Sequence, residues 1–269
     1  MKIELNTHER CMIDFAAQHP EVLVLSADLG SSCEIKKFRA TYPDRYLTMG
    51  IAEQNMCSWA AGLAREGYRP FLHTFSVFLY RRILDQLEMS VAYPNLPVVF
   101  VGFVPGITTP GGVTHQSIND VGVLRTVPNM AIFDIGDATE IEGVLKLAYD
   151  YNGPVFIRML RKEVPRLFPA NEPMQFNRAR VLSEGDDVLI LSSSICTEEA
   201  MRATAALKDR GVSVQHMHVS TLKPFTDPTI VEALKKVKYG VVTIENQYNI
   251  GGLSSAVSEL IAENGINKR

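Results

Sequence analysis

A carboxylate placed where a strand turns into a helix is well positioned for chemistry, because open α/β sheets bind ligands beyond the carboxyl ends of their strands. The segment GIAEQNM, residues 50–56, puts Glu53 at such a turn, directly after the run YLTMG. On pattern alone Glu53 reads as a first-turn glutamate favoured by the helix dipole. Phe75 and Phe78 in HTFSVFLYRR stand at i, i+3, a spacing that serves a packed core or a flat platform for a planar ring. Asp28 in SADLGSS reads as an Asp turning the chain at a strand end, and Ser32 lies in the loop that follows. His115 in GGVTHQ reads as a surface or helix-start histidine with Thr114 capping. Arg161 in IRMLRKE is either a surface ion pair of little energetic weight or a guanidinium fork for an oxyanion. Arg158, three positions earlier and so on the opposite face if the strand persists, reads as structural.

These residues need strands and helices to hold them. Short β-rich apolar runs alternate with helical periods: VLVLSADL (22–29), RYLTMG, RPFLHTF, LPVVFVG, MAIFDIG and GPVFIRML are the strand candidates. Their near-continuous apolarity predicts strands covered on both faces. Ile141, Val144, Leu145 and Ala148 form the stripe of an amphipathic helix, and residues 51–67 read as a small-residue helix stopped by Gly67. The alternation predicts an α/β chain with a parallel sheet over residues 1–166. Residues 167–182, with Pro169 and Pro173, read as a linker. Residues 183–269 read as a second, smaller domain, with strands DVLILSSS, VSVQHMHV and GVVTIEN and helices around Ala200, Leu234 and Val257. Each domain is thus expected to be a mostly parallel sheet flanked by helices.

The 269 residues are 46% hydrophobic and 21% charged, which excludes disorder as the main state. A net charge of -3 provides no global basic field for nucleic acid or an anionic membrane, so any bound anion must be held locally. The first residues lack the apolar core of a signal peptide, and the most apolar window, 96–107, is broken by Pro and Gly, which predicts a soluble cytoplasmic chain. The four cysteines form no CxxC pair and share no metal-ligand spacing with histidines, so neither a disulfide framework nor a zinc site is expected.

GIAEQNMCSWAAGLAREGYRPFLHTFSVF resembles the pyrimidine-binding domain of the transketolase family of thiamine diphosphate enzymes. SADLGSS, GGVTHQSINDVGVLRTVPNM, DATE, GPVFIRMLR and ENQYNIGGLSSAV follow in family order and carry the resemblance along nearly the whole chain. The resemblance implies that Glu53 hydrogen-bonds N1′ of the cofactor's aminopyrimidine and promotes loss of the thiazolium C2 proton. That task needs a carboxyl able to share a proton near neutral pH, and burial and a helix N-terminus act on a carboxyl in opposite directions. It further implies that Phe78 stacks on the aminopyrimidine, Phe75 lines the same pocket, and Asp28 lies near the thiazolium. His115 would contact the reacting hydroxyl beside the carbonyl, while Arg161 and Ser32 would grip a sugar phosphate. The family's RAFDQ-like stretch is RRILDQ here, so either Arg81 or Arg82 takes the family arginine's place.

Three substrate positions depart from the family. Its early arginine falls at His8, a histidine falls at Phe103, and the aspartate of DGPTHQ is Gly111. Cofactor positions are kept while sugar positions change, which points to an unusual sugar phosphate. The second domain also ends before the last strand and helix of the family. The GDG...N motif that binds metal and diphosphate belongs to a separate domain of the family and has no counterpart here, so the Mg2+ ligands are expected on a partner. The resemblance therefore implies the carboxyl-terminal subunit of a split transketolase, in an α₂β₂ assembly with an amino-terminal subunit, moving a two-carbon ketol unit between sugars. The rivals are a deoxyxylulose-phosphate-synthase-like or 2-oxo-acid dehydrogenase β-type subunit, and a non-catalytic regulatory module. Joint retention of Glu53, Phe78 and His115 argues against the module.

Overall fold

The computed structural model of the chain describes residues 2–268. The first unit runs β1 (Lys2–Leu5), α1 (Thr7–Gln18), β2 (Val22–Ser26), α2 (Lys36–Thr41), β3 (Tyr46–Thr48), α3 (Glu53–Arg65), β4 (Arg69–Phe75), α4 (Phe78–Arg81) and α5 (Leu84–Gln86). It continues through β5 (Val99–Phe103), α6 (Asp120–Leu124), β6 (Ala131–Asp134), α7 (Ala138–Asp150), β7 (Val155–Met159) and β8 (Glu163–Arg166). The second runs β9 (Arg180–Ser183), β10 (Val188–Ser192), α8 (Cys196–Asp209), β11 (Val214–His218), β12 (Thr221–Lys223), α9 (Pro228–Lys236), β13 (Gly240–Ile244) and α10 (Leu253–Glu263).

The larger sheet has the order β12-β6-β7-β5-β4-β2-β3, parallel throughout except for β12 at its edge. Its strands are near-continuous apolar runs because helices cover both faces: all residues of β2, β5, β6 and β7 are buried. Met12, Phe38, Phe71 and Ile141 pack on one face. Met56, Leu72 and Phe100 pack on the other, in a core that continues into Leu191, Met217 and Leu253 of the second unit. The smaller sheet has the order β13-β10-β11-β9, with β9 antiparallel to β11. Both sheets are thus mostly parallel and flanked by helices. Among the described residues no helix is long and apolar enough to cross a membrane.

Several details differ from the sequence expectation. β2 ends at Ser26 rather than Leu29, because the chain turns through a left-handed Asp28, φ 60°. The stretch 167–182 is not simply a connector: Phe168 and Met174 are buried, and its end enters β9. The second unit also returns β12 to the edge of the larger sheet, a three-residue strand too short to show a period. The DATE segment is structural, since Asp137 caps α7 through the Glu140 amide (2.8 Å) and Glu140 accepts from Gly136 (2.8 Å) and pairs with His218 at 3.1 Å.

A buried cation ties these parts together. Arg158 of β7 is fully buried, as are its partners Asp120 (3.0 Å) and Asp134 (2.8 Å). Its guanidinium also donates to the Asn246 carbonyl of the second unit at 3.2 Å. Burial pushes the Asp134 carboxyl up, against the pull of Arg158. Removing one member of such a set leaves charge buried without a partner, at a typical loss of about 3–5 kcal/mol. Arg158→Ala is therefore expected to lower Tm by on the order of 10 °C. Thermal denaturation checks this, and a shift of about a degree would contradict the assignment.

Candidate active site

The residues singled out for chemistry sit beyond the carboxyl ends of five strands that lie side by side, β7-β5-β4-β2-β3. Gly50, at φ +71°, turns the chain after β3 and delivers Glu53 as the first residue of α3, 4% exposed. Phe75 ends β4, and Phe78 opens α4 with its ring stacked 5.9 Å from that of Phe75. His115 comes from the long loop after β5 and meets both rings edge-on, at 6.1 and 5.6 Å. Arg161 follows β7, lies 5.4 Å from the Phe75 centroid and donates to the Ser32 carbonyl at 3.2 Å. Asp28 and Ser32 follow β2 and line one cavity of about 290 Å3.

Arg82 completes the arrangement. Its guanidinium lies 3.7 Å from the Phe78 centroid and donates to Glu53 Oε1 at 2.6 Å. Arg81 instead reaches the Val113 carbonyl (3.2 Å) and Tyr80 Oη (2.7 Å). The two arginines are thus separated in space, which the sequence left open. A cleft of about 640 Å3 borders Glu53, Arg81 and Arg82. The choice between Arg81 and Arg82 could not be read from two adjacent charges; only the fold shows which of the two meets the carboxylate.

The loop that carries His115 is shaped by close approaches. A Cβ at Gly106, φ +62°, would come within 2.2 Å of Asn246, whose side chain brackets the loop through the Ile107 amide (3.1 Å) and the Pro105 carbonyl (3.2 Å). Gly111 packs against His115, where a Cβ would lie 2.9 Å from the histidine's own. No helix starts at His115; the Thr114 hydroxyl lies 2.8 Å from His115 Nδ1 rather than capping a helix. Asn246 was legible only as part of the ENQY motif, with nothing local to mark its partner.

His8 and Phe103 do not join this surface. His8 is fully buried, its Nε2 3.0 Å from His73 Nε2 and its ring edge-on to a fully buried Phe103. The placement corrects the expectation that His8 binds substrate, since it presents no atom to the cleft. Burial, aided by His73, drives the His8 imidazole well below the usual histidine range, and burial takes His73 down to about 4. His73 Nδ1 lies 3.1 Å from the Phe71 carbonyl, an acceptor, so it carries the proton. Both rings are neutral at physiological pH.

The profile of the transketolase pyrimidine-binding domain matches residues 6–166, and that of the transketolase C-terminal domain matches residues 177–269. The chain belongs to the transketolase family. It is 36% identical over 260 residues, 96% of this chain and 80% of the relative, to the 6-deoxy-6-sulfo-D-fructose transketolase subunit SqwH of a Clostridium species. It is 35% identical over 261 residues, 96% of this chain and 81% of the relative, to a putative transketolase C-terminal section of Methanocaldococcus jannaschii. A 1-deoxy-D-xylulose-5-phosphate synthase of Clostridium botulinum is 34% identical, but the match spans 93% of this chain and 40% of that enzyme. Among solved structures, a split-gene transketolase described as an inactive beta4 tetramer superposes with a TM-score of 0.88 at 35% identity, covering 96% of this chain and 84% of that one.

The buried histidines set a pH dependence for the transketolase-family fold. His73 and His216 have folded pKa values of about 4, below the ordinary 6.5, with His216 lowered by burial and by His218. Between these values the unfolded chain binds protons that the folded chain refuses, so this contribution is complete above about pH 6.5 and is lost as pH falls towards 4. Each such histidine contributes a slope of about 1.4 kcal/mol per pH unit in that window. Buried Asp134 and Asp137, raised by burial, act in the opposite direction. The His73→Asn variant is therefore expected to lose stability less steeply than the wild type between pH 6.5 and 4.5. Parallel urea unfolding curves across that range check it, and identical slopes would contradict the neutral pair.

Proposed function

We propose that the chain is the carboxyl-terminal subunit of a split, cytoplasmic transketolase, which moves a two-carbon ketol unit from an anionic ketose to an aldehyde. The observation that carries this reading is the Glu53–Arg82–Phe78 arrangement. A planar group lies on Phe78 with its edge hydrogen-bonded to a buried carboxyl, and an aminopyrimidine in the same place would lay its ring on Phe78 and share the carboxyl's proton at N1′. The residues thus fit the pyrimidine half of thiamine diphosphate, with Arg82 as its stand-in. When bound, thiamine diphosphate supplies a carbon nucleophile and an electron sink for carbon–carbon cleavage.

Within that reading, Glu53 exchanges Arg82 for the aminopyrimidine edge and shares a proton there. Phe78 supplies the stacking face and Phe75 backs it. Asp28 stands at the thiazolium end. His115, with Nδ1 engaged by Thr114, offers Nε2 to the oxygen of the reacting carbonyl. Arg161 and Ser32 hold the substrate's anionic end. For Mg2+ the fit fails: among the described residues no group of three or more His, Cys, Asp or Glu is placed to hold a metal ion, so its ligands, with the diphosphate site, are assigned to a partner. Two chains of each kind would form an α₂β₂ enzyme.

The changed positions His8, Phe103 and Gly111 favour an unusual sugar over the ordinary pentose phosphates. A site without a hydrogen-bonding group stops penalising compounds that lack its counterpart. Among unusual sugars, a 6-deoxy-6-sulfo ketose is favoured by the similarity to the SqwH subunit. A synthase-like decarboxylation of a 2-oxo acid is the second reading, favoured by the similarity to 1-deoxy-D-xylulose-5-phosphate synthase.

Co-purification of the chain with its partner, followed by assays with thiamine diphosphate and Mg2+, tests the proposal. The assembled enzyme is expected to transfer ketol units, with kcat/KM higher for sulfonated or deoxy sugars than for xylulose 5-phosphate with ribose 5-phosphate. Release of carbon dioxide from pyruvate in place of ketol transfer would overturn it. In calorimetric titration the isolated chain is expected to bind thiamine diphosphate weakly, and tight Mg2+-dependent binding would sink the split-site assignment. Glu53→Gln keeps the shape but cannot share the proton, so turnover should fall by roughly 10²-fold or more with cofactor affinity only modestly weakened. Near wild-type turnover would refute that role.

A further inference from the structure

Beside the Arg161–Ser32 contact lies the cavity of about 290 Å3 that also takes in Ser31, Lys36, Arg39 and Tyr46. Lys36 and Arg39 are i, i+3 on α2 and therefore share a face. Among the described residues neither has a carboxylate within ion-pair distance, whereas the intervening Lys37 is committed to Glu9 at 3.2 Å. The Arg39 guanidinium lies 5.6 Å from the Tyr46 centroid, which restrains the fork. Gly30 leaves room for Tyr46, whose hydroxyl would be 3.0 Å from a Cβ there. Two unpaired cations thus line a concavity that the carboxylate of Asp28 also lines, a formal sum of two minus one, or +1.

That pattern selects a ligand. A terminal tetrahedral oxyanion is matched by an ammonium and a guanidinium fork, and the hydroxyls of a polyol can donate to Asp28 and bond to Ser31. The neutral, buried His8 and His73 bring no charge to this end of the site. Arg161, assigned above to the same anionic end, spends one donor on the Ser32 carbonyl and keeps others for the oxyanion, so Lys36 and Arg39 would act beside it. We infer that Lys36 and Arg39 are specificity-determining residues that bind the terminal phosphate or sulfonate of the sugar, an inference that rests on the ketol-transfer reading for its substrate class.

The test uses the full chain and a readout separate from turnover. Fructose 6-phosphate, 6-deoxy-6-sulfofructose and fructose are titrated by NMR into the wild type, Lys36→Gln/Arg39→Gln and Arg39→Lys. Both anionic sugars are expected to bind the wild type and shift the amides of Ser31, Lys36 and Arg39, while fructose does not. The double variant should weaken anionic binding by roughly tenfold or more, and Arg39→Lys should retain most of it. A preference for the phosphate or the sulfonate in the wild type identifies which oxyanion the pocket takes. Absence of anionic-sugar binding by the wild type, equal affinity in the double variant, or equal binding of fructose would overturn the inference. Failure of ketol transfer in the assembled enzyme would instead count against the proposed reaction and leave this binding result readable.

Discussion

The positive charge of Arg158, buried in the middle of a parallel sheet, constrains much of the rest of the molecule. A fully desolvated guanidinium is tolerable only with carboxylates and carbonyls around it, and the chain supplies them from four separated places. Asp134 comes from the neighbouring strand, Asp120 from the first turn of α6, Ser117 from the loop after β5 and Asn246 from the second unit. Satisfying one side chain therefore fixes where the His115 loop begins its return and where the second unit docks. Asn246 serves twice, since its carbonyl meets Arg158 while its side chain brackets the loop at Pro105 and Ile107.

The same demand recurs at the cleft in a labile form. Glu53 is almost completely buried, and a carboxylate so placed needs a donor. Arg82 provides one, but its side chain is 42% exposed, unlike Arg158, so the pair is screened by solvent and open to exchange. A fixed, dry ion set holds the scaffold and a half-wet one occupies the site. The difference in solvation is the physical basis for a partner of Glu53 that a flat ligand able to share its proton could replace.

Charge is unevenly distributed around the carboxyl ends of the strands. At the floor, two neutral histidines and a phenylalanine pack into the core, where an ionised group would have to be desolvated. The cations stand at the rim: Arg161 against an aromatic face, Lys36 and Arg39 on a short helix. An anion binding there would meet groups that remain solvated until it arrives.

The sequence by itself determined the elements whose pattern is local. The run RPFLHTF is β4 from first residue to last, the helix after Glu53 follows its small-residue stripe, and the positions of Glu53, Phe75, Phe78 and Arg161 relative to strand ends follow from those runs. Period, apolarity and turn residues act over a few positions, so a linear reading captures them. Tertiary structure alone decided the rest. It put β12 on the edge of the larger sheet, paired β1 with β8 across more than 150 residues, and buried His8 instead of exposing it. It also chose Arg82 over Arg81 for Glu53 and gathered Lys36, Arg39 and Asp28 around one cavity. Each of those outcomes depends on which distant groups share a desolvated or concave space, and distance along the chain carries no record of that.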